Sequence, residues 1–158
     1  MFKIVTLLAL PSVLAITACS PEKQSAAHDV SCQSPGDLTE LSGVYSADMV
    51  AISQYGKKVG SSTLDIKVDG SGVVTGTYSW EAAEGYGSSA GGGKVSQDSE
   101  KVIGVFDAKD CEFGLAETEE AGIFRGRLLP DKTIDLTLVE PGLQPVVKLL
   151  RYKKTGDS

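Results

Sequence analysis

Histidine and tryptophan each occur once in the 158 residues, methionine twice, and basic side chains are outnumbered by acidic ones, 15 to 21. Each shortage excludes something. The single histidine, His28, lies in a polar stretch, so a serine or cysteine nucleophile elsewhere has no evident base. One histidine and three cysteines are too few and too scattered for a zinc site. Gly85-x-Gly87 and Gly91-Gly92-Gly93 have neither the spacing nor the strand-to-helix setting of a phosphate-binding loop. A net charge of −6 argues against nucleic acid, which requires basic patches. The paired carboxylates Glu81 and Glu84, Asp107 and Asp110, and Glu119 and Glu120 fall in turn-like stretches and read as solvated surface. Asp107, Asp110 and Glu112, or Asp69 with Asp131, offer the oxygens that calcium prefers, but no calcium-loop pattern surrounds them. The expectation is a protein without catalysis, cofactor or bound metal.

The N-terminus carries more information. Lys3 precedes an apolar run, Ile4 to Ile16, of 13 residues, too short for the roughly 30 Å hydrocarbon layer and suited to a secretory signal. The run ends on Ile16-Thr17-Ala18-Cys19, which resembles the lipobox of bacterial lipoproteins. The resemblance implies cleavage after residue 18 and lipidation of Cys19, with stable membrane anchoring by several acyl chains. Ser20 follows the cysteine where such lipoproteins carry Asp for inner-membrane retention, which implies an outer-membrane lipoprotein facing the periplasm. The mature chain would hold 140 residues with a net charge of −7, enough for one domain. With Cys19 lipidated, Cys32 and Cys111 remain, and two thiols in an oxidising compartment read as a disulfide.

Residues 19–38 are polar, contain two prolines and lack periodicity, as a tether would. From 39 to 154 short apolar alternations are separated by Gly, Pro and Asp. Gly43–Tyr55, Ser62–Val68, Val73–Trp80, Lys101–Asp107, Cys111–Glu117, Ile123–Leu129, Thr133–Glu140 and Val146–Tyr152 read as strands. Asp69-Gly70-Ser71-Gly72 predicts a hairpin turn between two of them. The strand spacing predicts an all-β domain, a single small antiparallel barrel of about eight strands, stapled by the disulfide. Gly76, Gly104, Gly114 and Gly126 sit inside strands, where glycine permits the coiling of a small barrel. Arg125 and Arg127 share a strand face that reads as solvated, and Tyr45, Tyr78 and Trp80 read as core.

Glu81 to Gly93 contains five glycines in thirteen residues and reads as a long loop. In design, a lipobox-anchored, acidic, disulfide-stapled β-barrel with an exposed polar loop is similar to the periplasmic lysozyme-inhibitor lipoproteins. That resemblance implies a protein partner, a basic muramidase or a toxin, steered by the acidic charge. It places the partner-binding residues at Tyr86, Ser88, Ser89 and Lys94, although Ala90 follows Ser89 where the inhibitors' Ser-Gly-x-x-Tyr pattern has Gly. Two other readings stay open: a small apolar-ligand carrier of lipocalin type, since Val74 to Tyr78 also resembles an avidin-type strand, and a structural envelope lipoprotein.

Overall fold

In the computed structural model, residues 33–83 and 97–157 are described. After a short 3-10 helix, Leu38–Leu41, eight antiparallel strands follow in simple up-and-down order: β1 Gly43–Ser53, β2 Gly56–Val68, β3 Val73–Ala82, β4 Gln97–Asp107, β5 Glu112–Glu117, β6 Ile123–Leu128, β7 Ile134–Glu140 and β8 Val146–Gly156. Pairing of β1 with β8 closes the sheet into a barrel, which leaves no open edge for another chain to extend.

The alternation that predicts the strands also fills the barrel. Every second residue of β2, β3 and β7 points inward, and Leu64, Ile66, Val74, Tyr78, Phe124, Ile134, Leu138 and Tyr152 are almost wholly buried. Tyr78 meets Phe124 edge-on, with ring centroids 5.0 Å apart, the geometry that aromatic quadrupoles favour. An eight-stranded barrel is just wide enough for its own side chains to fill it.

The two ends differ. At one, the helix Leu38–Leu41 lies across the opening. Asp37 caps it by accepting from the Thr39 N–H, Tyr45 donates to the Leu41 carbonyl at 2.8 Å, and the Ser42 hydroxyl accepts from the Val68 N–H. Leu41, Val68, Phe106, Cys111, Phe113 and Leu128 form an apolar plug there. Leu38, partly buried, packs against the core at this end. At the opposite end lie the turn after β1, the β3–β4 connection, residues 118–122 and residues 141–145.

Four strands run past their predicted limits: β3 by two residues to Ala82, β4 by four to Gln97, and β2 and β8 besides. β2 starts at Gly56 because Lys57 to Ser61 pair with β1 across a two-residue turn; that stretch lacks apolar alternation, so only the partner strand reveals it. β8 continues to Gly156 through exposed Lys153 and Lys154, paired with Ser46 and Tyr45. The Asp69–Gly72 turn is present. The Asp69 carboxylate accepts from the Ser71 hydroxyl and from the Ser71 and Val73 N–H groups, and these bonds, the hydroxyl's first, hold it below the usual carboxylate range. On the outer wall, Ile103, Ala116, Ile123, Val139, Val147 and Ile52 are consecutive register partners, an apolar row of which only Ala116 is not well exposed.

Candidate functional site at the mouth of the barrel

The inward series of four strands changes character at the open end. In β4 it runs Phe106, Gly104, Val102 and then Glu100. In β5 Phe113 and Leu115 lead to Glu117, and in β7 Leu136 and Leu138 lead to Glu140. In β8 Tyr152 and Leu150 lead to Lys148. Strand registers fixed by the apolar core therefore deliver three carboxyl groups and one ammonium into one mouth.

Lys148 is 4 % exposed. Its Nζ donates to Glu140 Oε1 at 2.5 Å and stands 4.7 Å from the Trp80 ring centroid and 5.3 Å from that of Tyr78. A buried ammonium requires such partners: a carboxylate for its charge and aromatic faces in place of water. Trp80 packs against the core while remaining partly exposed at the mouth.

The other two carboxyl groups have no such partner. Glu117 is 7 % exposed, and its Oε2 makes no hydrogen bond. A methyl group at buried Gly122 would come within 1.8 Å of that oxygen, so the carboxyl group lies against the inner side of the 118–122 turn. Burial and the charges of Glu100 and Glu140, opposed by Lys148, push its pKa up to about 7. Glu100 stands opposite Tyr78 and its Oε2 is also buried and unpaired. Loss of water and the neighbouring Glu120, Asp98 and Glu140 push it up to about 7 as well. One oxygen from each of Asp98, Glu100 and Glu120 lies within 4.8 Å of the others. The Tyr78 hydroxyl is buried without a partner among these carboxyl groups, and burial raises its pKa first of all. Ser62 donates to the Tyr152 hydroxyl at 3.1 Å deeper in the same wall. Beside the mouth an open groove runs over Ser61, Ser79, Trp80, Gln97 and Asp98.

Compared with known protein families and with curated proteins, the chain matches none.

Of the residues singled out from sequence, Cys19, Cys32, Tyr86, Ser88, Ser89 and Lys94 lie outside the described residues, as does His28. The chain leaves β3 at Ala82 and re-enters β4 at Gln97, both at the mouth end, so the connection that contains four of these residues joins strands there. Cys111 is buried at the opposite, plugged end. Arg125 and Arg127 are exposed on the outer wall, and Tyr45 and Tyr78 are core. Asp107, Asp69 and Asp131 each accept from backbone N–H groups of their own turns, which uses them as turn residues. Glu120 is exposed, as its solvated reading expects, and one of its oxygens lies within 4.8 Å of oxygens of Asp98 and Glu100. Glu100, Glu117, Glu140 and Lys148 were not singled out at all. Continuing the apolar alternation of their strands by one step would have placed all four inside.

Proposed function

We propose that this protein is a lipid-anchored periplasmic binding protein of the outer membrane that acts without catalysis on a basic protein partner. A cell-wall hydrolase, or a toxin that an immunity protein would neutralise, fits best. The observation that carries this reading is the polarity of the barrel. The described chain enters at the plugged end, through the helix Leu38–Leu41, whereas the acidic mouth and the β3–β4 connection lie at the other. An anchor at Cys19 and a bridge from Cys32 to Cys111 would both act at the plugged end, leaving the mouth directed away from the membrane. Unpaired carboxyl groups at the mouth and a net charge of −7 on the mature chain would steer a basic partner towards it. Tyr86, Ser88, Ser89 and Lys94, on the connection between β3 and β4, are the proposed contact residues.

The lipocalin-type reading receives less support. The barrel centre is occupied by Tyr78, Tyr152, Phe124 and Leu64, and an apolar ligand would have to displace them at the cost of close packing. Titrating the protein into a panel of muramidases while following cell-wall lysis tests the proposal. Stoichiometric inhibition of one enzyme, lost in Ser89→Ala with Lys94→Ala at unchanged Tm, is the expected result. Binding of an apolar dye with quenching of Trp80, and inhibition of no hydrolase or toxin, would replace it with the carrier reading.

A further inference from the structure

The outer wall of the barrel is as patterned as its interior. Among the described residues ten large hydrophobic side chains are well exposed, and eight of them lie on two adjacent register rows of that wall. The first row is the one already described, from Ile103 on β4 through Ile123 and Val139 to Ile52 on β1. The second runs beside it through Val105, Gly114, Arg125 and Thr137 to Leu149. A third row bounds the patch with charge: Asp107, Glu112, Arg127, Asp135 and Arg151. A contiguous apolar patch rimmed by polar groups marks a contact surface. The barrel is closed, so whatever covers this wall does so through side chains and not by adding a strand.

The charged row says what the occupant is. Asp135 is paired with Arg151 in its own chain, whereas Glu112 and Arg127 make no ion pair with any described residue. A two-fold axis parallel to the strands, placed between β6 and β7, lies at the middle of the first row. It sets Arg127 of one copy against Asp135 of the other, and Glu112 against Arg151, each pair occurring twice. In the second row Arg125 meets the Thr137 hydroxyl. Leu149 meets the open groove at Gly114, where a methyl group would have nothing within 4 Å. In the first row Ile123 meets Val139, and Ala116 meets Val147. Other axes lose this match. One along β6 sets Arg127 against itself and Glu112 against Asp135, and one along β7 sets Arg127 against Arg151. An axis across the strands would lay the aliphatic row on the charged one. Complementarity of a patch to itself about one line is what an isologous interface demands.

We propose that the outer wall formed by β5 to β8 pairs with the same wall of a second copy of this chain, giving a two-fold dimer. The walls are convex, so contact is closest along β6 and β7, and the long arms of Glu112 and Arg151 span the gap beside them. An axis along the strands keeps both plugged ends on the same side, as two anchors in one membrane require. The pairing stands whether or not the chain binds a hydrolase.

The test is sedimentation of the full chain in density-matched detergent micelles over a range of protein-to-micelle ratios. The parent should show a concentration-dependent equilibrium between monomer and dimer. Val139→Asp, at the centre of the aliphatic row, should weaken it about tenfold or more at unchanged Tm, because the side chain is exposed. Thr77→Lys, exposed on β3 outside the patch, should associate as the parent does. Arg127→Glu and Asp135→Arg should each weaken the dimer about tenfold or more, since like charges then meet twice. Mixed together, these two variants should form a heterodimer about as tightly as the parent associates, because every charge again faces its opposite. A role for either residue confined to its own barrel gives no such rescue. Copies that share a micelle by chance would be insensitive to all of these substitutions, and that insensitivity would overturn the proposal. So would a monomer at every concentration, which would assign the wall to lipid or to a different protein. A dimer that survives Val139→Asp, or a mixture without rescue, would overturn this geometry.

Discussion

Glu117 shows what a barrel interior does to a side chain that the sequence presents as an ordinary strand terminus. Its ordinary pKa of 4.5 is raised to about 7 in the folded protein, so the folded state keeps a proton that the unfolded chain releases. Stability therefore falls as pH rises from about 4.5 towards 7 and is level above that, the reverse of a salt-bridged carboxylate. Glu100 acts in the same direction. Glu117→Gln mimics the protonated form. It is expected to stabilise the protein at pH 8 by about 2 kcal/mol, a discounted conversion of the shift, and to make no difference well below the unfolded-state pKa, at about pH 3. Thermal melts across this range are the check; parallel curves for parent and variant would mean that the charge on Glu117 costs nothing. Lys148 sets the limit to this argument, because its ammonium lowers the same pKa while its own hydrogen bond goes to Glu140.

At the scale of the strand, four interior glycines predicted from sequence divide three to one. A methyl group at Gly104 would lie 2.1 Å from the Gly114 carbonyl oxygen, and comparable approaches to backbone occur at Gly76 and Gly126. At these points the inward face is too tightly coiled for a side chain. Gly114 itself faces outward, and nothing lies within 4 Å of the same position. Gly104→Ala should thus cost about 1–3 kcal/mol through forced backbone movement. Gly114→Ala should be neutral or stabilising by up to about 1 kcal/mol, since it removes only unfolded-state freedom. Denaturant unfolding of the two variants decides this, and equal losses would refute the division. The glycines were legible as coiling points because strand interiors disfavour them. Which way each faced was not, because that depends on register. The same dependence explains the mouth: Glu100, Glu140 and Lys148 continue alternations that were visible in the sequence. That their strands bring them to one opening follows only from closure of β1 on β8.

At the scale of the whole molecule, the up-and-down order was legible because nearly every connection is short and each carries Gly, Pro or Asp, so neighbours in sequence pair in space. The proposed Cys32–Cys111 bridge belongs to this scale as well. Cys111, at φ 54 in the β4–β5 turn, is 2 % exposed within the apolar plug, so a bond there would tie the segment before the barrel to the end through which the chain enters. It would close a loop of about 80 residues, worth roughly 4 kcal/mol if the chain-entropy account holds. Cys32→Ala is the informative variant, because it removes the bond while leaving the buried Cys111 side chain in the plug. Its Tm should fall by on the order of 15 °C, and reducing agent should lower the parent to the same value without affecting the variant. Mass spectrometry of unreduced peptides should find the two cysteines linked, and finding both as alkylatable thiols would discard the bridge. The bridge also bears on the orientation argued above. Cys32 lies thirteen residue steps after Cys19, and thirteen extended steps reach at most about 45 Å. With the bond in place, the plugged end cannot stray farther than that from a lipidated Cys19, while the mouth stays at the far end of the barrel. Without the bond, the tether lengthens to the start of the helix at Leu38, and the leash on that end grows by about 20 Å.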